Sequence, residues 1–302
     1  MYKNYGEVVT KAKNLGPITI SVAVAQDREV LEAIKMAQDL GLVKPILVGD
    51  SELIRPLMTE VGLASDTPVV DEKDIPKAAL AAVSLVKQGK AQVLMKGLVN
   101  SSDFLRAVLD KEVGLRTGRL LSHLAVFEIP GQEKLLFVTD GGMNVAPDLK
   151  GKKDILTSAL LTLQEMGIES PFVAVLTANE QVSAGMPATV DAQALVEMSA
   201  AGELPPGIVE GPIAFDVIMN PEAAKHKGIN SKVTGKVDLI LTPNIETGNV
   251  MGKMLIHYGK AKMVGLVLGA TNPIVMTSRA ETAEGKLNSI AMACLAYGER
   301  KE

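Results

Sequence analysis

The sequence predicts an α/β fold with largely parallel sheets, and three observations lead to this prediction. Short runs rich in Val, Ile and Leu alternate with stretches of helical periodicity along nearly the whole chain of 302 residues. The runs are continuously apolar, which is typical of strands that are covered on both faces. Aromatic residues are few, with no Trp, 4 Tyr and 5 Phe, so aliphatic side chains and Met must fill the cores. These features favour parallel strands layered with helices.

In the first third of the chain, strand and helix patterns follow one another in turn. ITISVAVA at 18–25 precedes a helical stretch that ends at Gly41, and PILVGD at 45–50 completes a βαβ unit. A helical pattern over 77–90 then leads into the strand AQVLMKG at 91–97. This order predicts neighbouring parallel strands joined by helices.

The same alternation continues to the end of the chain. GKKDILTSALLTLQEMG at 151–167 has the periodicity of a helix. Further buried strands are expected at 171–178, 237–244, 263–270 and 273–276. Turn residues in EIPGQEK favour a domain division near residue 130, and the chain is long enough for two domains of roughly 150 residues each.

Composition and charge exclude several classes of protein. The formal net charge is −4, so no overall field attracts nucleic acid or an anionic membrane, and exposed aromatic stacking platforms are not expected. The single cysteine, Cys294, lies in an apolar helical pattern, which predicts a core thiol and suits a reducing cytoplasm. Because no signal peptide and no apolar run of ~18 residues is apparent, we expect a soluble cytoplasmic protein.

Candidate ligand-binding residues follow the strands, because parallel sheets bind ligands at the carboxyl ends of their strands. Lys96 closes the strand 91–97, and a lysine buried there needs an anionic partner. The segment from Lys96 to Arg119, which includes Arg106, carries five basic and three acidic residues. A solvated helix face is the alternative explanation for this local positive excess.

Two further strand ends carry polar residues. After the strand 237–244 comes a cluster of amide, acidic and basic residues with a glycine that gives a backbone room to approach a ligand: Asn244, Glu246, Gly248, Asn249 and Lys253. A tight turn and a helix cap explain part of this pattern equally well. After the strand 273–276, Ser278-Arg279-Ala280-Glu281 fits an S-x-x-E capping box and is also suited to bind an anion. The three strand ends together predict a site for phosphate groups.

Other catalytic patterns are missing from the sequence. It contains no phosphate-binding G-x-x-x-x-G-K-[ST] loop, no G-x-G-x-x-G after a strand and no G-x-S-x-G elbow. The cysteine and the histidines do not have metal-ligand spacing, so no metal is expected. His226 and His257 are expected at the surface, and His123 is expected to be a hydrogen-bonded core imidazole.

Four long segments resemble one known family. They are MKGLVNSSDFLRAVLDKEVGLRTGRLLSHLAVFE, EGPIAFDVIMNPEAAKHKGI, PNIETGNVMGKML and PIVMTSRAETAEGKLNSIA. In this order they are similar to the phosphate acetyltransferase/phosphate butyryltransferase family, and KGLVN and TSRA look more like the butyryltransferase branch. The likeness covers nearly the whole chain.

The resemblance implies a fold, a reaction and an assembly. The fold would comprise two three-layer α/β domains of the isocitrate/isopropylmalate dehydrogenase type, with the active cleft between them. Residues 1–130 plus 265–302 would form one domain and 131–264 the other. The reaction would interconvert acyl-CoA and phosphate with acyl phosphate and CoA, with CoA as a substrate and no permanently bound cofactor. A homodimer or a higher homo-oligomer is implied.

The resemblance also implies roles for individual residues. Arg279 would hold the transferring phosphate and Ser278 would steady the reacting sulfur or the oxyanion. Arg106, and with a weaker match Arg119, would contact phosphate or CoA, and the PN-x-E-x-GN segment maps onto Asn244, Glu246, Gly248 and Asn249. The acetyltransferases place an aspartate, the proposed base for the CoA thiol, where this chain has Gly285. Glu284 or Glu281 is expected to replace it, and Glu284 is adjacent.

Three alternatives remain open beside a butyryltransferase. An acetyl-specific enzyme is the nearest of them. A non-catalytic protein that binds CoA or acyl phosphate is a second, although the retained Ser278 and Arg279 speak against loss of activity. A decarboxylating dehydrogenase on the related fold is a third, but the sequence shows no D-x-x-x-D metal-binding pattern on a helix near the expected cleft.

Overall fold

The structure is a computed structural model that describes residues 1–278 and 281–298. Its helices are α1 (Tyr5–Asn14), α2 (Arg28–Asp39), α3 (Ser51–Val61), α4 (Ile75–Lys87), α5 (Ser101–Val108), α6 (Leu149–Glu165), α7 (Pro187–Ala200), α8 (Phe215–Met219), α9 (Pro221–His226), α10 (Ile245–His257) and α11 (Ala283–Tyr297). Its strands are β1 (Ile18–Ala23), β2 (Val43–Gly49), β3 (Val69–Asp71), β4 (Val93–Lys96), β5 (Ser122–Glu128), β6 (Leu136–Thr139), β7 (Phe172–Leu176), β8 (Ile208–Ile213), β9 (Leu239–Leu241), β10 (Lys262–Leu268) and β11 (Ile274–Val275). The predicted mixture of helices and mostly parallel strands is confirmed.

The chain divides into two compact units. The amino-terminal unit consists of Tyr5–Gly118 together with the chain from Val264 onward, and the central unit consists of Met1–Asn4 and Arg119–Met263. This division concerns compactness alone, and the domain limits at 130 and 264 stay a prediction.

The sheet of the amino-terminal unit has the strand order β3-β2-β1-β4-β11-β10. The first five of these strands run parallel, and β10 runs antiparallel to β11. Consecutive residues of β1 from Ile20 to Ala23 are all buried. Because neighbouring side chains of a strand point to opposite faces, both faces of this strand are covered. Helices α1 and α2 pack against α11, and α4 packs against β1, β2 and α5.

The sheet of the central unit has the order β5-β6-β9-β7-β8. Strands β6, β9, β7 and β8 run parallel, whereas β5 pairs antiparallel with β6. Phe127, Val138, Leu176, Ile213 and Val217 belong to the core that this sheet forms with its helices. The apolar runs predicted at 171–178 and 237–244 are both confirmed as strands, and each is shorter than its apolar pattern.

One predicted strand has a different direction from the one expected. The run at 263–270 was expected in a parallel sheet, but β10 and β11 pair as Leu266 with Val275 and Val267 with Ile274 in antiparallel register. The short connection from Gly269 to Pro273 explains this outcome, because a parallel partner would need a crossover of about a dozen residues or more.

Cys294 is fully buried in α11, as the sequence predicts. Its Sγ lies 3.8 Å from the carbonyl oxygen of Leu42, to which it donates. Burial raises the pKa of this thiol to about 12. Within residues 1–278 and 281–298, no helix has the length and apolar character that a membrane span requires.

Candidate active site

The carboxyl ends of β1, β4 and β11 meet at one edge of the amino-terminal sheet. Ala23 is in register with Lys96, and Val275 is in register with Met95. Lys96 is the last residue of β4, and Ser278 follows the end of β11 by three positions. Two of the predicted site residues therefore follow neighbouring parallel strands, which is where ligands bind in sheets of this kind.

Lys96 is a buried lysine, as its position at a strand end suggested. Its ammonium donates to the carbonyl oxygens of Val99 at 2.9 Å and Gly97 at 3.3 Å. Gly97 lies against the end of β1, where a Cβ would come within 2.7 Å of the carbonyl oxygen of Ala23. Backbone carbonyls thus position the ammonium of Lys96 at the sheet edge.

Arg106 has a more exposed setting in the last turn of α5. Its guanidinium pairs with Asp103 at 2.6 Å, and its side chain is 74% exposed. An exposed pair of this kind contributes little to stability. The solvated helix face considered for this segment accordingly describes Arg106, and its role in CoA or phosphate binding stays a prediction.

The segment between β11 and α11 departs from the predicted capping box. Thr282, not Ser278, is the N-cap of α11, and its hydroxyl accepts a hydrogen bond from the backbone N–H of Gly285 at 3.1 Å. The capping alternative for Ser278 is therefore wrong, and the carbonyl oxygen of Ser278 accepts a hydrogen bond from the N–H of Glu281 at 3.1 Å. The predicted phosphate ligand Arg279 lies outside the described residues.

Glu281 and Glu284 differ in position at the start of α11. Glu284 is exposed in the first turn. Glu281 folds its side chain over Gly285, where a Cβ would come within 2.6 Å of the carboxyl carbon of Glu281 and still closer to Oε1. Its Oε1 also accepts from the N–H of Thr282 at 3.2 Å. The space next to the glycine is therefore filled by a carboxylate from the preceding turn.

In the central unit, the predicted residues Asn244 to Lys253 lie on α10, directly after β9. Asn244 is the N-cap, and its Oδ1 accepts from the N–H of Thr247 at 2.9 Å and from its hydroxyl at 2.7 Å. Glu246, Asn249 and Lys253 are exposed along the helix. Asn244 therefore caps α10, as one of the two interpretations of this segment required.

The glycines of α10 have packing roles. A Cβ on Gly248 would lie 2.6 Å from the α-carbon of Gly141, and a Cβ on Gly252 would lie 3.2 Å from the ring of Phe127. Asn249 also donates to the carbonyl oxygen of Gly141 at 3.2 Å. Close approach between backbones explains Gly248 without a ligand, and its role in substrate binding stays a prediction.

Asp140 fixes the loop that Gly248 contacts. This buried carboxylate accepts from the backbone N–H groups of Gly142, Met143 and Asn144 at 2.8, 3.0 and 3.1 Å, and from the Asn144 amide at 2.6 Å. The loop follows β6, which is parallel to β9, so it lies at the same sheet edge as the start of α10. This loop was not among the predicted site segments, although Asp-Gly-Gly directly after an apolar run was a sequence signal for it.

His123 lies beside the same loop and differs from the expectation. Its ring packs on Gly142, where a Cβ would lie 3.1 Å from Cγ and Nδ1. The imidazole is partly buried, and no described residue forms a hydrogen bond with its nitrogens. The prediction of a hydrogen-bonded core imidazole is therefore wrong. Burial lowers the pKa of His123, and nearby Asp140 offsets part of this effect, so the ring is neutral at pH 7.

Arg119 contacts helix α6. Its Nε donates to the hydroxyl of Ser158 at 3.1 Å, within the central unit. Among the described residues no group of three His, Cys, Asp or Glu side chains could hold a metal ion. The groups at the strand ends are therefore cations, amides and helix N-termini, which are suited to bind phosphate.

The fold and these strand ends define an α/β protein with candidate phosphate-binding groups at the carboxyl ends of its parallel strands. The model of the family described as "Phosphate acetyl/butaryl transferase" matches residues 64–294. The chain belongs to this family, and the recognition made from the four sequence segments is confirmed.

Individual relatives agree over nearly full length. The phosphate butyryltransferase of Clostridium acetobutylicum is 46% identical over 99% of this chain and 100% of its own length. The phosphate acetyltransferase of Rhizobium meliloti is 38% identical over 98% of this chain and 94% of its own length. The crystal structure of a branched-chain phosphotransacylase from Enterococcus faecalis V583 superposes with a TM-score of 0.80 at 30% identity, covering 93% of this chain and 99% of that one.

Proposed function

We propose that this chain transfers a butyryl or similar short-chain acyl group between coenzyme A and phosphate. The observation that carries the proposal is the 46% identity, over 99% of this chain, to the phosphate butyryltransferase of C. acetobutylicum. Acetyl transfer is the second candidate, because the phosphate acetyltransferase of R. meliloti is 38% identical. Acyl-CoA, phosphate and acyl phosphate are the substrates in both cases.

The reaction proceeds by direct transfer in a ternary complex. The CoA thiolate attacks the carbonyl carbon of the acyl phosphate, a C–S bond forms, and the C–O bond to phosphate breaks through a tetrahedral intermediate. In the reverse direction a phosphate oxygen attacks the thioester. Arg279 and backbone N–H groups neutralise the phosphate, and Ser278 steadies the sulfur or the oxyanion.

No acyl-enzyme is needed in this mechanism. Cys294 is buried in the core, and its raised pKa, about 12, keeps the sulfur protonated at neutral pH. A protonated and inaccessible thiol is a poor nucleophile.

A carboxylate at the start of α11 accepts the proton of the CoA thiol. A free thiol with a pKa of ~8.5 is a few per cent ionised at pH 7, so full deprotonation contributes about 30-fold, or about 2 kcal/mol. Donors aimed at the oxyanion contribute about 10²–10³-fold each in other acyl transfers, so the base is a secondary contribution. Glu284 was predicted for this role, but the position of Glu281 over Gly285 favours Glu281.

Basic and amide groups at the strand ends bind the phosphates of the substrates. Lys96, Arg106, Arg119 and Lys253 supply positive charge, and the start of α10 supplies N–H groups next to Asn244, Glu246, Gly248 and Asn249. The positions of Lys96 and of the start of α10 after parallel strands support their assignments, and those of Arg106 and Arg119 rest on the family resemblance.

The active protein is a homodimer or a larger homo-oligomer in this proposal. Val250, Met254 and Tyr258 follow one another at intervals of four residues on α10 and its C-cap. They are 61%, 52% and 81% exposed. A row of exposed large apolar side chains at helical spacing is typical of a surface that a partner covers.

A substrate panel tests the proposed reaction. Acetyl-, propionyl-, butyryl- and isobutyryl-CoA are supplied with phosphate, and thiol release is followed with a chromogenic disulfide reagent. We expect phosphate-dependent release that is fastest with butyryl- or isobutyryl-CoA. Fastest release with acetyl-CoA would identify the acetyl enzyme, and release with none of them would contradict the proposed function.

A further inference from the structure

Lys286 is a buried cation that none of the assigned roles uses. It is the fourth residue of α11 and is 3% exposed. Long side chains of helical residues point back toward the helix N-terminus. The ammonium of Lys286 accordingly donates to the backbone carbonyl oxygen of Glu281, which precedes the helix.

Among the described residues, no acidic group pairs with the charge of Lys286. An ammonium has three donors, and this one uses a single donor on an uncharged carbonyl. No carboxylate in the part of the chain that the structure describes pairs with it. Burying a charge in this way is unfavourable unless a counter-charge is present in some state of the protein.

Lys152 of α6 is another buried lysine that offers a comparison, because it has a carboxylate partner. Lys152 is 6% exposed, close to the value for Lys286. Its ammonium pairs with the carboxylate of Asp191 at 2.6 Å. The missing carboxylate at Lys286 therefore distinguishes it from a structural ion pair and indicates an anion supplied from outside the chain.

The position of the ammonium fits that anion. It lies at the N-terminal end of a helix of 15 residues, where the helix dipole adds positive potential. Ser278 and Glu281 belong to the same junction between β11 and α11, and Ser278 is exposed. A phosphate group bound at this helix end would accept from the remaining N–H donors of Lys286.

We propose that Lys286 binds a phosphate group of a substrate at the N-terminal end of α11. This inference rests on the proposed function, because that reaction supplies the phosphate. The two sources of this chemistry are inorganic or acyl phosphate on one side and the phosphates of CoA on the other.

A binding experiment without turnover tests the assignment. Thermal unfolding of the full chain is measured alone, with inorganic phosphate and with CoA, for the wild type, Lys286→Met and Lys286→Gln. Lys87→Met is the matched control, because Lys87 is an exposed lysine in the last turn of α4. A bound ligand raises the unfolding temperature of the native protein, and loss of the binding group removes that rise.

We expect phosphate or CoA to raise the unfolding temperature of the wild type and of Lys87→Met. In both Lys286 variants, this rise should be smaller for at least one of the two ligands. Without ligand, Lys286→Met should be at least as stable as the wild type, because an unbalanced buried charge has been removed. If Lys286→Met does not fold, the experiment is done with Lys286→Gln alone, because its amide retains a donor for the carbonyl oxygen of Glu281. The proposal would be overturned if both ligands raised the unfolding temperature of the Lys286 variants as much as that of the wild type. It would also be overturned if neither ligand raised the unfolding temperature of the wild type.

Kinetics distinguish the two sources. A KM for phosphate that rises about ten- to a hundredfold, with an unchanged KM for acyl-CoA, identifies the transferred phosphate. A KM that rises for acyl-CoA but not for an acyl N-acetylcysteamine thioester, which has no phosphate, identifies CoA. Unchanged KM values for all three substrates would contradict the proposal. If the wild type lacks activity with every thioester, the proposed function fails, whereas the unfolding experiment still decides the role of Lys286.

Discussion

The carboxylate of Glu281 lies over the α-carbon of Gly285, four residues further along the chain. A Cβ on Gly285 would come within 2.6 Å of the carboxyl carbon and 2.9 Å of Cγ of Glu281. The family resemblance places an aspartate at position 285 in the acetyltransferases. This chain thus has a carboxylate close to that position, although the residue at the position is glycine.

The first prediction concerns this carboxylate. Glu281→Gln should lower kcat in the CoA-consuming direction by up to about 30-fold at pH 7, because the thiol must then ionise unaided. The deficit should shrink as the pH rises through ~8.5, where the free thiol ionises by itself. Initial rates of acyl-CoA formation from pH 6.5 to 9 measure this dependence.

Two comparisons separate Glu281 from Glu284. Glu284→Gln should change kcat less than Glu281→Gln, and the reverse order would assign the base to Glu284. Gly285→Asp alone should disturb the site, because its side chain would overlap Glu281. The double variant Glu281→Ala with Gly285→Asp should be more active than Glu281→Ala alone, since the aspartate returns a carboxylate to the same region.

A second prediction concerns Cys294. With a pKa of about 12, the thiol of the native protein should resist alkylation by iodoacetamide at pH 8 and react only after unfolding. Cys294→Ala should retain kcat and KM within about twofold while it lowers the free energy of unfolding by about 1 kcal/mol through lost packing. Loss of turnover in a folded Cys294→Ala protein would contradict direct transfer.

The fold was largely predictable because the spacing of apolar residues along the sequence depends on which faces of a strand or helix are buried. Strands such as β1 and β4 are covered on both faces, and their apolar runs predicted them. The direction of β10 was not predictable from its own composition, since a buried antiparallel strand carries the same apolar run as a parallel one. The five residues between β10 and β11 held that information, because so short a connection favours a reversal.

The site was predictable where chain position alone determines it. Lys96 and Asn244 follow strands, and the structure confirms the lysine at the sheet edge and the asparagine as a helix cap. Lys286 was hidden, because a lysine in a helix normally points to solvent and only tertiary packing buries this one. The N-cap of α11 was not predictable because Ser278 and Thr282 both suit a cap, and the hydrogen bond from the N–H of Gly285 to Thr282 identifies Thr282.

A third prediction follows from the contact between Gly248 and Gly141. Gly248→Ala would place a methyl group 2.6 Å from the α-carbon of Gly141 and 2.9 Å from the hydroxyl of Thr242. Backbone has little freedom to move, so we expect the free energy of unfolding to fall by about 1–3 kcal/mol. Urea unfolding measures it. Gly185→Ala is the control, since its nearest neighbour would be 3.7 Å away and an unchanged stability is expected.

A fourth prediction tests the proposed assembly. Met254→Lys places a charge in the row formed by Val250, Met254 and Tyr258, and it should shift the protein toward the monomer in light scattering coupled to size exclusion. Leu53→Lys replaces a comparably exposed but separate leucine on α3 and should leave the mass unchanged. A monomeric wild type, or an unchanged mass in Met254→Lys, would exclude this surface as the interface.

The last prediction concerns the pH dependence of stability through His123. Burial lowers the pKa of the native imidazole below the ~6.5 of the unfolded chain, with Asp140 offsetting part of the effect. Below pH 6.5 the unfolded state therefore binds a proton that the native state does not, and stability falls as the pH decreases toward the native pKa. This residue contributes a slope of at most about 1.4 kcal/mol per pH unit. His123→Gln should remove that slope between pH 7.5 and 5 in urea unfolding, whereas His226→Gln, at an exposed histidine of α9, should retain it. Identical slopes in the two variants would show that His123 does not titrate differently in the native and unfolded states.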